Sequence, residues 1–164
     1  MVADQISLSM TINGRARRGV AEPRLTLADF LREQAQCTGV HLGCEHGVCG
    51  SCTVLMDGEA VRSCLLFAVQ ADGADITTVE GLAPDEETLH PVQEAFRDCH
   101  GLQCGFCTPG FIVSVTAFLE ANPDPSDEEI RHGIAGNLCR CTGYQGIVAA
   151  TRQAAAAMKG SGQS

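Results

Sequence analysis

Residues 5–12 alternate without a break. Ile6, Leu8, Met10 and Ile12 fall on one face, and Gln5, Ser7, Ser9 and Thr11 on the other. Period two over this length predicts a half-buried strand. Asn13-Gly14 follows, a strong hairpin signal, and a second strand should run from Arg15 to Glu22 and stop at Pro23. Thr26, with Asp29 three positions on, predicts a capped short helix burying Leu27, Phe30 and Leu31. A glycine-rich cysteine loop fills 39–52. Thr53–Met56 reads as a strand, Asp57-Gly58 as a turn, Ala60–Ser63 as the partner strand and Ile76–Val79 as a last short strand.

The period then changes. Residues 80–90 are polar and contain Gly and Pro, which places a domain boundary there and divides the chain into 1–80 and 81–164. Pro91–Cys99 predicts a helix. Thr108-Pro109 looks like an N-cap followed by proline at the first helical position, opening a helix that carries Phe111, Ile112, Val115, Phe118 and Leu119 and ends before Pro123. Ser126 with Glu129 forms a capping box for a third helix. The alanine-rich segment 145–158 is a fourth, and the tail KGSGQS should fray. No internal repeat is evident. The expected plan is α+β: a small β-rich domain followed by a small all-α domain.

Composition narrows the function classes. Of 164 residues, 45% are hydrophobic and only 4% aromatic, with no Trp and one Tyr, so aliphatic side chains must fill the core. Eleven basic residues against 20 acidic ones give a net charge of −9. That balance disfavours nucleic acid, which needs a basic face, and an anionic membrane surface. No apolar run approaches the roughly 20 residues of a membrane-spanning helix. Arg17-Arg18 is followed by GVAEP and not by an apolar stretch, so a secretory signal is not expected. A cytoplasmic location with reduced thiols is the consequence.

Ten cysteines in such a chain point to metal ligation and not to a disulfide framework. Cys44, Cys49 and Cys52 are spaced C-x4-C-x2-C, and Cys64 follows. This is the plant-type 2Fe–2S spacing. Three ligands on one tight loop wrap a flat cluster, while Gly43, Gly47 and Gly50 let backbone amides approach the sulfurs. Zinc prefers two separated close pairs. A Rieske centre would need a second histidine where Cys52 stands. The second set, Cys104-x2-Cys107 with Cys139-x-Cys141, leaves zinc, a cluster and a redox dithiol open. Helix termini at both pairs, and the electron path that a second cluster would complete, favour a cluster.

The stretches GLQCGFCTPG and GNLCRCTGY resemble the iron–sulfur subunit of the molybdenum hydroxylases, the xanthine oxidase family. GCEHGVCGSCTV resembles that family's first-cluster loop. The resemblance runs from about residue 5 to 157, and all eight cluster cysteines match. It implies a β-grasp, ferredoxin-like N-terminal domain and a four-helix-bundle C-terminal domain, each with one 2Fe–2S cluster. It also implies a large molybdopterin subunit, with the pterin in its cytosine dinucleotide form, and a medium FAD subunit, arranged as a dimer of heterotrimers. Electrons would pass from molybdenum through the helical-domain cluster and then the ferredoxin-type cluster to FAD. Gln103 and Cys141 would lie beside the pterin. The substrate would be an N-heteroaromatic compound, an aldehyde or carbon monoxide, bound by the large subunit.

The remaining groups carry no chemistry of their own. Cys37 and Cys99 read as small buried apolar residues. His41, His46, His90, His100 and His132 read as hydrogen-bonded or surface histidines. No nucleophile–base pair or phosphate loop is present, and Gly143 and Gly146 do not make one, so no substrate chemistry is expected on this chain. Phe106, Phe111, Leu138 and Tyr144 are candidates for either an interface or the core. Each oxidised cluster with its thiolates adds about −2, which takes two clusters to about −13 overall and suits a soluble partner. A free two-cluster ferredoxin and a zinc-stabilised interaction module are the competing classes.

Overall fold

The computed structural model describes residues 4–85 and 87–161. The fold is α+β. Strands β1 (Ile6–Ile12), β2 (Arg15–Ala21), β3 (Thr53–Met56), β4 (Glu59–Arg62) and β5 (Asp75–Thr77) form one mixed sheet in the order β2-β1-β5-β3-β4. β1 and β2 are an antiparallel hairpin, and its turn residues Asn13 and Gly14 have φ of 50° and 71°, as a two-residue hairpin requires. β5 runs parallel to β1 and antiparallel to β3, closing the sheet between the two hairpins.

Helix α1 (Leu27–Glu33) lies across one face of this sheet. Thr26 caps it, accepting the Asp29 N–H at 3.1 Å. Leu27, Phe30 and Leu31 meet Leu8, Met10, Ile12, Val54 and Ile76 in a first core. The alternation in β1 holds except at Ile6, which is 43% exposed at the strand's outer end. The partner strand of the second hairpin ends one residue earlier than expected. Ser63 instead enters a 3-10 turn (Ser63–Leu65) that carries Cys64, and Ser63 anchors it with a hydroxyl bond to the Cys52 carbonyl at 2.7 Å.

Helices α2 (Pro91–Asp98), α3 (Thr108–Ala121), α4 (Asp127–Gly133) and α5 (Gln145–Ser161) enclose a second core of Val92, Phe96, Phe111, Val115, Leu119, Ile130 and Ile147. Ser126 and Glu129 form the expected reciprocal cap. The cap of α3 is not the expected one. Cys107 occupies it with helical φ and ψ (−82°, −14°), and its carbonyl accepts the Phe111 N–H at 3.1 Å. Thr108 is thereby drawn into the first turn, where its hydroxyl is buried without a partner among the described residues. Helix α5 continues through the first residues of the expected frayed tail, and 162–164 lie outside the described residues.

The two halves touch backbone to backbone. A Cβ on Gly110 of α3 would collide with the Gly50 carbonyl oxygen and sit 2.9 Å from Ser51 Cα. No flexible side chain is there to yield. Gly110→Ala should therefore cost about 1–3 kcal/mol, the usual penalty for overpacking, measured as a lower midpoint of chemical unfolding.

His90 caps α2 by accepting the Val92 N–H on Nδ1 at 3.3 Å. Burial lowers its pKa, against the pull of the Glu120 carboxylate. The unfolded chain, near the ordinary 6.5, takes the proton first. This contribution to stability is thus complete above about pH 6.5 and is lost as pH falls towards the folded-state value. Thermal unfolding should shift accordingly, and His90→Asn, which keeps a capping acceptor, should lose that component.

Candidate metal centres

The first thiol set is built on the loop between α1 and β3. Gly47 and Gly50 adopt φ of 82° and 77°, and Glu45 is held at 56°. This winding turns N–H groups inward. Cys49 N–H points at Cys44 Sγ at 3.3 Å. Backbone N–H groups of His46, Cys49 and Val48 outweigh burial and bring the Cys44 thiol down to about 6. His46 Nδ1 donates to the Cys44 carbonyl at 2.5 Å and holds the loop's first turn. Cys52 and Cys64 are buried, with their thiols in hydrogen-bond contact. Burial, followed by the contact with Cys52, pushes Cys64 up to about 11.

The second set frames the start of α3 and the link between α4 and α5. Cys104 and Cys141 are exposed, and their sulfurs lie 3.5 Å apart. Cys107 and Cys139 are half-buried and in thiol contact. Burial, then the bond to Cys139, pushes Cys107 up to about 12. Burial alone would raise Cys139 too, but the Thr142 hydroxyl and neighbouring N–H groups prevail and hold it below its ordinary value. Gln103 is exposed next to Cys104.

All eight candidate thiols therefore meet in pairs: 44 with 49, 52 with 64, 104 with 141, and 107 with 139. Among the described residues, no three His, Cys, Asp or Glu side chains surround a single-ion position. Two pairs of thiols per site are the donor set that a two-iron core takes, one pair to each iron, so the residues present fit two 2Fe–2S groups. The inward N–H groups at Cys44 suit the negative charge that such a group adds.

The two sets are neighbours. Leu138 N–H donates to the Cys49 carbonyl at 2.9 Å, which links the residue before Cys139 to a cysteine of the first loop. Asn137, buried at 2% exposure, donates to the Gly50 carbonyl at 3.1 Å. Arg62 bonds Thr53 Oγ1 at 2.5 Å and the Gly136 carbonyl at 2.7 Å. His41 stacks on Phe106 at 5.0 Å and donates to its carbonyl at 2.6 Å. Sequence reasoning missed Arg62, Asn137 and His41 as bridging residues. Their proximity to cysteines in the sequence was the only available signal.

The other expectations divide. Cys37 is buried. Cys99 is not a purely apolar residue: it is half-buried, and its thiol donates to Gln153 Oε1 at 3.1 Å. Phe111 is core, Tyr144 is half-buried against it, and Phe106 and Leu138 are 48% and 49% exposed. His41, His46 and His90 are hydrogen-bonded as described, and His100 and His132 are exposed.

A sheet-borne four-thiol site joined to a helical four-thiol site defines the class. The family profile described as "2Fe-2S iron-sulfur cluster binding domain" matches residues 10–83, and "[2Fe-2S] binding domain" matches residues 78–152. The chain belongs to the small iron–sulfur subunits of the molybdenum hydroxylases and is part of an oxidoreductase. It is 55% identical over 152 residues to the nicotine 6-hydroxylase small subunit of Paenarthrobacter nicotinovorans, covering 93% of this chain and 91% of that one. It is 53% identical over 148 residues to the caffeine dehydrogenase subunit gamma of Pseudomonas sp. (strain CBB1), covering 88% of each. The crystal structure of quinoline 2-oxidoreductase from Pseudomonas putida 86 superposes with a TM-score of 0.91 at 50% identity, covering 98% of this chain and 99% of that one. Among the described residues, no helix is long and apolar enough to cross a membrane.

The Asn137 bond to Gly50 is buried, and water cannot replace it without cost. The Gly50 carbonyl keeps its bonds from Thr53, so Asn137→Ala should destabilise the chain by about 0.5–1.5 kcal/mol, read as a lower unfolding midpoint at unchanged slope.

Proposed function

We propose that this chain is the electron-transfer subunit of a molybdenum-dependent hydroxylase acting on an N-heteroaromatic compound. Cys44, Cys49, Cys52 and Cys64 would hold one 2Fe–2S group, and Cys104, Cys107, Cys139 and Cys141 the other. Electrons taken from substrate at a molybdopterin on a large partner would enter at the second set and leave from the first towards FAD on a medium partner.

The observation that carries this reading is the Leu138 N–H bond to the Cys49 carbonyl at 2.9 Å. It gives two four-thiol sets a short, packed connection, which a relay needs and a pair of independent structural zinc sites does not. Exposure supports the direction. Cys104 and Cys141 are exposed, as is the neighbouring Gln103, which leaves that set open to the pterin-bearing partner. At the first set, Val48 and Leu65 are 56% and 59% exposed, and Leu65 lies over Gly47 of the loop. That apolar edge suits the FAD partner, in an assembly we take to be a dimer of heterotrimers in the cytoplasm.

The domain division at 1–80 and 81–164, the β-grasp description of the first half and the four-helix-bundle description of the second belong to the same reading. The two separate cores, meeting through backbone contacts, support it. The substrate class follows from the relatives, named for nicotine, caffeine and quinoline, which are all N-heterocycles. Aldehydes and carbon monoxide rank behind. This chain supplies ligands, N–H donors and packing; recognition of the substrate falls to the large partner, with the pterin in its cytosine dinucleotide form.

Low-temperature EPR with metal analysis on the dithionite-reduced complex tests the reading. Two distinct signals with about four irons per chain are expected, two for each centre. Cys49→Ser should remove one signal and block reduction of FAD while substrate still reduces molybdenum. Cys104→Ser should remove the other signal and stop electrons earlier. One signal with about two irons plus zinc would overturn the proposal. So would a stable, fully loaded monomer without partners, which is the behaviour of a free ferredoxin.

A further inference from the structure

Cys139 sits inside a closed ring of hydrogen bonds. Its N–H donates to the Tyr144 phenol oxygen at 3.1 Å. Tyr144 N–H donates to Thr142 Oγ1 at 3.1 Å. Thr142 Oγ1 lies 3.1 Å from Cys139 Sγ. A hydroxyl has one hydrogen and two lone pairs. The Tyr144 N–H occupies a lone pair, which leaves the Thr142 hydrogen free for the sulfur. When Cys139 is a thiolate the sulfur has no hydrogen to give, so the bond can only run from O–H to S.

The ring is held in place at a cost. Gly143 and Tyr144 both have positive φ, 61° and 67°. A bulky tyrosine is rarely found there, and such strain persists only where the surroundings fix it. The surroundings here are core: the Tyr144 ring meets the fully buried Phe111 edge-on at 6.2 Å. The contrast with the first set is chemical. Cys44 receives a backbone N–H, from Cys49, which no substitution can remove without rebuilding the loop. Cys139 receives a side-chain O–H, which one substitution can delete.

We propose that Thr142 is a positioning residue that raises the reduction potential of the second 2Fe–2S centre by donating its hydroxyl to Cys139 Sγ. This rests on the reading of Cys139 as a ligand. One-electron reduction takes a 2Fe–2S core with four thiolates from about −2 to about −3. One electron enters, no bond is made or broken, and no proton moves. A hydrogen bond to a ligand sulfur stabilises the more negative state more, so it favours reduction. The centre becomes a better acceptor for electrons arriving from the partner's molybdenum side.

The test is an EPR-monitored redox titration of the purified complex carrying Thr142→Val, Thr142→Ser, Thr142→Ala or Tyr144→Phe, with iron determined on each sample. Both hydroxyl-free Thr142 variants should keep both signals and full iron. They should shift the midpoint of one signal downward and leave the other in place. Thr142→Ser should titrate like the unmodified complex. Tyr144→Phe, which opens the ring but leaves the hydroxyl, should shift the same signal by less. Unmoved midpoints in Val and Ala would overturn the proposal. Equal shifts in Ser and Val would overturn it too, because bulk and not the hydroxyl would then be responsible. Loss of iron in both Val and Ala with Ser intact would assign the hydroxyl a purely structural role. If the unmodified complex shows only one signal, the ligand assignment itself fails, and that result is distinguishable from all of these.

Discussion

A 2Fe–2S group held by four thiolates carries net negative charge, and a chain that holds two of them must supply compensating dipoles at short range. That constraint governs the local structure around both sites. Around Cys44, the loop accepts left-handed backbone at Glu45, Gly47 and Gly50 so that N–H groups face sulfur. Around Cys139 the chain accepts left-handed backbone at Gly143 and Tyr144 and adds the Thr142 hydroxyl to backbone N–H groups. Strain at these positions is local and small. The electrostatic return falls on groups that are partly withdrawn from water, where each dipole counts for more.

The second constraint is that two such sites must sit close together without merging. The interface between the halves achieves this with backbone and polar contacts. Gly110 approaches Gly50 directly, Leu138 bonds Cys49, and Asn137 and Arg62 fill the remaining polar positions. Hydrogen bonds fix spacing more sharply than apolar contact does, because their energy falls steeply with distance and angle. Transfer of an electron between fixed centres depends on that spacing. The apolar cores lie to either side, one under the sheet and one among the helices, and keep each half rigid behind its own loop.

Local signals made most of this legible in the sequence. The alternation from Ile6 to Ile12, the Asn13-Gly14 and Asp57-Gly58 turns, and the Ser126/Glu129 box each encode their own element within a few residues. The cysteine spacings are equally local, since a tight loop can present three sulfurs to one point only at certain intervals. The interface was not legible. Asn137 and Gly50 are 87 positions apart, Arg62 and Asn137 75, and neither pair leaves a period or a motif. The α3 cap was misread for a related reason. Thr108-Pro109 carries a strong local signal, yet the neighbouring Cys107 takes the cap, in thiol contact with the distant Cys139. A tertiary constraint displaced a local preference at a helix start that also belongs to a site.

The two sites also differ in how their surroundings can be altered. The first takes its dipoles from main chain, so its electrostatics are tied to the loop conformation and to the spacing that created it. The second takes part of its compensation from the side chain of Thr142, and its outer thiols, Cys104 and Cys141, are open to whatever covers them. Burying those two thiols under a partner would remove water from one side of the site and change its electrostatics in a way the isolated chain cannot reproduce. The first site, with Cys52 and Cys64 already enclosed, has less to gain or lose from docking. Difference in exposure thus separates a site whose properties are set mainly by this chain from one whose outer thiols stand open. In the relay proposed above, the partner's influence would fall on the set proposed for electron entry.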